Sequence, residues 1–320
     1  MPKAANNRLL AGLSLLAALL TFPLIGFGAV VRLKGGGLGC PDWPLCYGKV
    51  TPLGHLLSPP GAELQQGLEM GHRYVAAFLG LICIAIAWRA LKTPFLRWAL
   101  LILGMVVFQG LLGRYTVTLR LAGWTVASHL LFGNICFALI VSFALRVRRL
   151  NAPGPWIAPE SRILLPAFLL TLLTLVLGGY TSGSGASYHC PGWPLCPDSF
   201  PGMLIEPNLK LINFSHRLSA ALAALATGWA LRRLWQQGIR HRWLLLALGG
   251  LFLVEVGVGA ANALTFVPVP LSGLHTLIAA TIIGLFAALF TPQAHEAPQP
   301  PEAALKTDFE DAALEAGQSA

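Results

Sequence analysis

Eight apolar segments, each of about 20 residues, constrain this chain more than any other feature. They lie near 9–31, 69–91, 97–119, 124–146, 162–181, 213–234, 243–265 and 271–292. A run of that length with few charges can cross the hydrocarbon core of a bilayer as one helix. Only 11% of the residues are charged, against roughly 25% in soluble domains. The sequence therefore predicts an all-α integral membrane protein with eight transmembrane helices.

Charged residues in the linkers predict the orientation. Thirteen Lys and Arg residues lie on the side of the amino terminus and eight on the opposite side. Because cytoplasmic loops carry the excess of basic residues, we expect a multi-pass plasma-membrane protein with both termini in the cytoplasm. The first apolar segment is too long for the apolar region of a signal peptide.

The carboxy-terminal end differs from the rest in composition. From Thr291 onward there are six acidic residues and one lysine among Pro and Ala, so residues 293–320 are predicted to be a disordered cytoplasmic tail. Without this segment the formal charge of +9 rises to +14. That charge suits anionic membrane lipid as a partner. No basic patch interleaved with aromatic residues indicates nucleic acid as a partner.

The sequence repeats itself. Cys-Pro-Asp-Trp-Pro-Leu-Cys at 40–46 returns as Cys-Pro-Gly-Trp-Pro-Leu-Cys at 190–196, and the His-Arg pair at 72–73 returns at 216–217. This pattern predicts a tandem duplication of a four-helix unit, with boundaries 1–150 and 151–292. Because four is even, both units enter the membrane in the same direction. We expect two four-helix bundles related by a pseudo-two-fold axis along the membrane normal.

Four histidines recur at matching depths, each about one turn inside an apolar segment near the outer face: His72, His129, His216 and His275. An imidazole in hydrocarbon is costly unless it is ligated or hydrogen-bonded, and neutral histidine is the commonest axial ligand of haem iron. The alternative is that each histidine only forms a hydrogen bond to a neighbouring helix. Four histidines at repeat-matched positions disfavour this alternative. We therefore predict two bis-histidine haem sites, one in each unit, ligated by 72 with 129 and by 216 with 275.

Charged neighbours of these histidines suggest further roles. Arg73 and Arg217 directly follow a predicted ligand, where a guanidinium can pair with haem propionates or merely snorkel to the interface. Glu69 stands one helical turn before His72, and Asn213 takes its place in the second unit. This carboxyl group either transfers protons or is a helix-start residue favoured by the dipole. The asymmetry between the repeats favours chemistry in the first unit.

Four cysteines flank the two outer loops. Because that compartment is oxidising, Cys40 with Cys46 and Cys190 with Cys196 are predicted to form local disulfides. The structural interpretation is a staple for a short turn, and the functional one is a redox-sensitive cap over a haem pocket. A zinc site of four cysteines would require both loops to meet.

Taken together, these residues resemble the bacterial haem A synthases. The resemblance rests on Arg32, on Gly-Leu-Gly-Cys-Pro-Asp-Trp-Pro-Leu-Cys at 37–46, on Glu-Met-Gly-His-Arg at 69–73, on the second cysteine loop and on the three later histidines. It implies oxidation of a methyl group of haem O to the formyl group of haem A, for terminal oxidase biogenesis. It also implies a resident haem b on His216 and His275, and the substrate haem between His72 and His129, with Glu69 as the catalytic carboxylate.

Two other classes remain open from the residues alone. A dihaem b-type cytochrome fed by quinol would use the same histidines, as would a haem carrier. The synthase interpretation brings expected partners with it, namely haem O, a haem O synthase and a membrane electron partner. Glu255, an intramembrane acid at the position that matches Gln109, receives no specific role from the sequence.

Overall fold

The structure is a computed structural model that describes residues 2–50, 63–149, 154–190, 192–196, 207–238 and 242–292. The tail predicted to be disordered lies outside the described residues. Within them the chain forms eight α-helices: α1 Pro2–Leu33, α2 Glu63–Ala90, α3 Leu96–Thr118, α4 Gly123–Arg149, α5 Leu165–Gly183, α6 Pro207–Gln236, α7 Arg242–Leu264 and α8 Val269–Phe290. Each coincides with one predicted apolar segment, so the all-helical prediction is confirmed.

Seven of these helices are long and apolar enough to cross a membrane, and α6 is not among them. The sequence of α6 explains the difference. Arg217 and Arg232 bound an apolar stretch of only 14 residues, 218–231, whereas about 20 are needed to span the hydrocarbon core. The apolar pattern therefore predicted a longer apolar span for this segment than the helix contains.

The helices enclose two hydrophobic cores. One is built from α1 to α4, with Leu10, Ile86 and Phe143 among its buried residues. The other is built from α5 to α8 and includes Leu248 and Phe286. Neighbouring helices in the chain pack against each other, and α1 also packs against α4. Each four-helix segment therefore buries its own apolar side chains.

Four helices join the two segments: α4 packs against α5 and α8, and α1 packs against α8. The approach of α4 and α5 is close because small residues line it. A methyl group on Gly179 would stand 2.8 Å from the backbone of Ala127, and one on Gly183 would stand 2.8 Å from that of Gly123. The absence of side chains at these glycines is therefore required for the packing.

Polar contacts fasten the opposite end of this interface. Arg146 is fully buried and donates hydrogen bonds to the carbonyl oxygens of Pro155 and Trp156, both at 2.8 Å, and to the hydroxyl of Ser142. Its guanidinium also lies 4.4 Å from the ring centroid of Trp98. One charged side chain from α4 thus holds the start of the second segment against the first.

Candidate haem sites

The paired histidines of the second segment lie close together with their rings nearly perpendicular. The ring centroids of His216 and His275 are 6.4 Å apart, with an angle of 85° between the ring planes. Two metal–imidazole bonds of about 2 Å each, with about 1 Å from each bonded nitrogen to its ring centroid, separate two axial imidazoles by about 6 Å. The pair therefore has the separation that bis-histidine ligation of one iron requires.

The histidines of the first segment are also brought together, since His72 on α2 and His129 on α4 lie close enough to interact electrostatically. The His72 ring also makes an edge contact with Phe27 of α1, with ring centroids 5.8 Å apart. The structure thus places each predicted pair within its own helical segment.

A glycine on the preceding helix packs against each histidine ring. A methyl group on Gly28, Gly113, Gly178 or Gly259 would stand 3.1, 3.4, 2.8 or 3.1 Å from Cε1 of the facing imidazole. The glycines obey the repeat as the histidines do, because 28 matches 178 and 113 matches 259. Each ring is therefore positioned against bare backbone, a contact that the sequence indicates through the repeat-matched spacing of the glycines alone.

The chemistry of the first pair of rings suits a metal ligand. Among the described residues, Nδ1 of His72 and of His129 is buried and has no hydrogen-bond partner, although both residues are partly exposed. Cε1 is the ring atom nearest to the facing glycine in every case. Neutral imidazoles in apolar surroundings fit the ligation of haem iron.

The second pair differs from the first in the surroundings of Nδ1. Nδ1 of His216 lies 3.1 Å from the carbonyl oxygen of Thr174. Nδ1 of His275 lies 3.1 Å from Oε1 of Glu255, at hydrogen-bonding distance but short of good alignment. Only the second pair therefore has an acceptor near each Nδ1.

Glu69 and Arg73 hold the first cysteine loop, residues 40–46. Oε2 of Glu69 accepts a hydrogen bond from the backbone N–H of Cys40 at 2.9 Å, and Oε1 pairs with Arg73 at 2.5 Å. Arg73 also donates to the carbonyl oxygens of Asp42 and Leu45. Glu69 is 4% exposed and lies about two turns inside α2. A helix-start role is therefore wrong, because the dipole effect is confined to the first turn.

Arg217 holds the second cysteine loop, residues 190–196, whereas Asn213 bonds to the short helix that precedes the loop. Asn213 donates to the carbonyl oxygen of Ala186 at 3.0 Å and accepts a hydrogen bond from Arg217 at 2.9 Å. Arg217 also donates to the carbonyl oxygens of Cys190 and Gly192. The sequence predicted propionate pairing or snorkelling for both arginines. The structure gives them loop carbonyls as partners, which a one-residue pattern could not reveal.

Each loop is closed by its own disulfide. The sulfur atoms of Cys40 and Cys46 are 2.02 Å apart, and those of Cys190 and Cys196 are 1.88 Å apart. Because each sulfur is bonded within its loop, these cysteines are not available as ligands of a shared zinc ion. The predicted pairings are therefore present.

Asp42 distinguishes the first loop from the second, where Gly192 takes its place. Its carboxylate accepts hydrogen bonds from the backbone N–H groups of Tyr47 at 2.7 Å and Gly48 at 2.8 Å. Both residues have positive φ angles, 51° and 71°, so the carboxylate stabilises a tight turn directly after the disulfide. The difference between the loops thus has a local structural explanation.

Comparison with known proteins agrees with this architecture. The model of the family described as COX15-CtaA, cytochrome oxidase assembly protein, matches residues 11–287. The chain belongs to this family. The match covers all eight helices almost entirely and includes every histidine, arginine, glutamate and cysteine discussed above.

Two relatives within the COX15-CtaA family extend the comparison. A protein from Shewanella oneidensis named "Heme A synthase" is 32% identical over 302 residues, which cover 82% of this chain and 90% of the relative. A protein of the same name from Symbiobacterium thermophilum is 33% identical over 270 residues, 78% of this chain and 84% of the relative. The resemblance found in the motifs is thus supported over most of the chain.

Proposed function

We propose that this chain oxidises the methyl substituent of haem O to the formyl group of haem A, for terminal oxidase biogenesis. The single observation that carries the proposal is the His216–His275 pair, whose 6.4 Å ring separation fits one bis-ligated haem. Membership of the COX15-CtaA family and the names of the relatives support the same activity.

The two halves of the chain divide the work. Residues 151–292 hold a resident haem b on His216 and His275, and residues 1–150 receive haem O between His72 and His129. The two cores and the symmetric packing of α1 with α8 and α4 with α5 support two bundles related by a pseudo-two-fold axis along the membrane normal. In this arrangement α6 is the eighth span although its apolar stretch is short, because the long side chains of Arg217 and Arg232 can reach the two interfaces from its ends.

When bound, haem iron would supply the redox chemistry that no side chain has, and an external oxidant, either dioxygen or the membrane electron partner, would take up the four electrons that conversion of the methyl to the formyl group releases. His72 and His129 orient the substrate so that its reactive methyl group is fixed. Glu69 accepts or releases protons at Oε1 or Oε2 when the bond to Arg73 or to the Cys40 N–H opens. Arg73 and Arg217 keep the loops in place and pair with haem propionates only if they exchange partners. These five residues therefore bind and orient the haems, hold the loops and carry protons at the outer end of the helices.

Comparison of the repeats supports a chemical role for Glu69. Asn213 holds its arginine and the carbonyl oxygen of Ala186, which precedes its cysteine loop, without a charge, so orienting the arginine at this position does not require an ionisable group. A buried carboxyl group costs free energy that an amide avoids. The presence of a carboxyl group at this position only in residues 1–150, the half proposed to bind the substrate, therefore favours a role in proton transfer.

The orientation and partners follow from the same proposal. The charge of the linkers supports a plasma-membrane location with both termini in the cytoplasm. A haem O synthase would supply the substrate, and a membrane electron partner would exchange electrons with the resident haem. Both partners contact the chain within or beside the bilayer.

Extraction of pigments from the purified protein tests the proposal. The protein is produced in cells that make haem O, and its haems are separated and quantified. We expect haems b, O and A in the wild type, and haems b and O without haem A in Glu69→Asn, which copies the second repeat. Haem b alone in the wild type would indicate a dihaem cytochrome, and full conversion by Glu69→Asn would remove the carboxylate from the mechanism.

A further inference from the structure

The two predicted haem sites differ at one pair of positions that match in the repeat. Gln109 of α3 and Glu255 of α7 occupy the same position in the repeat, 20 residues before His129 and His275. In the first half the amide of Gln109 donates to the backbone carbonyl of His129 at 2.6 Å, not to the imidazole ring. In the second half the carboxylate of Glu255 lies 3.1 Å from Nδ1 of the His275 ring.

A second pair of residues accounts for the different side-chain positions. A methyl group on Gly133 would stand 2.7 Å from the amide nitrogen of Gln109, so this amide can reach the backbone of α4 only because residue 133 has no side chain. The matching residue in α8 is Ala279. Alanine carries a methyl group at this position, and in this half the side chain of Glu255 lies beside the imidazole instead.

The acceptor at Nδ1 changes what the imidazole does as a ligand. A carboxylate that receives the Nδ1–H fixes the ring orientation and the tautomer, and it raises the basicity of Nε2. A more basic axial ligand binds iron more tightly and favours the ferric state, which lowers the reduction potential of a haem. Nδ1 of His129 has no such acceptor among the described residues, so its ligand bond is the weaker one.

We propose that Glu255 is a positioning residue that strengthens His275 as an axial ligand, so that the haem of the second half stays bound at a lower reduction potential than the haem of the first half. The proposal rests on the function proposed above and deepens it. Retention suits a resident cofactor, and the weaker ligand set suits a site whose substrate enters and whose product leaves. A lower potential also makes the second-half haem the electron donor of the two.

The test uses the detergent-purified full-length protein and its resident haem b. Redox titration followed by absorbance should place the midpoint potential of Glu255→Gln higher than that of the wild type, by about 59 mV for a tenfold change in the one-electron equilibrium. Transfer of haem b to an excess of a soluble haem-binding protein should be about tenfold faster. Glu160→Gln, at an exposed carboxylate of the short helix Pro159–Leu164, is the matched control and should change neither value.

A reciprocal variant makes the test sharper. Gln109→Glu combined with Gly133→Ala copies the second-half arrangement into the first half, and haem O bound there should leave more slowly. An unchanged potential and an unchanged transfer rate in Glu255→Gln would refute the role of Glu255. Absence of bound haem b from the wild type, or its persistence in His216→Ala, would instead refute the proposed function.

Discussion

The contact between Gly178 and His216 allows a quantitative test of how the proposed haem ligands are positioned. In Gly178→Ala the new methyl group would stand 2.8 Å from Cε1 of the imidazole, whereas ordinary van der Waals contact begins at 3.4 Å. The ring must therefore move by about 0.6 Å, which exceeds the tolerance of about 0.5 Å for a working site. It is also held by the carbonyl oxygen of Thr174, so displacement breaks a second contact.

Overpacking of this kind costs about 1–3 kcal/mol, which corresponds to a fall in haem affinity of about fivefold to 150-fold. The assay is the amount of haem b per purified protein, together with the reduced-minus-oxidised spectrum of a bis-histidine haem. We expect Gly178→Ala to lose haem b and Gly259→Ala, where the gap is 3.1 Å, to lose less.

The matched control is Gly228→Ala on α6, where no atom lies within 4 Å of the added methyl group. It should retain the wild-type haem content. If Gly178→Ala kept as much haem b as this control, with the same spectrum, the glycine contact would not position the ligand and the reasoning would fail.

Three further variants test the supporting structure. Arg217→Ala removes charged hydrogen bonds of about 1.5–3 kcal/mol each from the second cysteine loop. A thiol reductant should then reduce the Cys190–Cys196 disulfide at least tenfold faster, as measured by alkylation of the released thiols. An unchanged rate would contradict the role of Arg217 in holding the loop. Arg146→Met leaves two linker carbonyls without donors and should lower the unfolding free energy by about 1–3 kcal/mol, seen as a lower midpoint of thermal unfolding. Gly179→Ala forces α5 from the backbone of α4 and should lower the same midpoint, whereas Gly228→Ala should not; equal midpoints would refute the close approach.

Much of the fold could be predicted because hydrocarbon permits few backbone arrangements. Every buried peptide group must be satisfied within its own helix, so apolar runs translate almost directly into α1 to α8. The boundaries were less predictable: α2 begins at Glu63, not at 69, because polar residues such as Gln65 and Gln66 continue the helix beyond the apolar run. For α6 the apolar pattern predicted a membrane span, but this helix of 30 residues has only a short apolar centre.

The site was predictable to the extent that it is repeated. Duplicated histidines and cysteines stand out in one sequence, and the structure brings His216 to His275 as the repeat predicts. Contacts made by backbone do not stand out. The loop carbonyls that Arg73 and Arg217 bind, and the bare helix surfaces that the imidazoles touch, depend on the folded positions of segments far apart in the chain.

The duplication also indicates which features serve structure and which serve chemistry. Both halves retain the glycine beside each imidazole and the arginine that holds each loop, so these features belong to the shared scaffold. They differ in where an acid stands: buried at the cysteine loop in the first half, as Glu69, and partly buried beside the His275 ring in the second, as Glu255. An acid at the loop can exchange protons with the outer surface, whereas an acid at Nδ1 can strengthen a metal bond. The proposed division of work, with reaction in one half and retention in the other, therefore requires only a different placement of one carboxylate within the repeated frame.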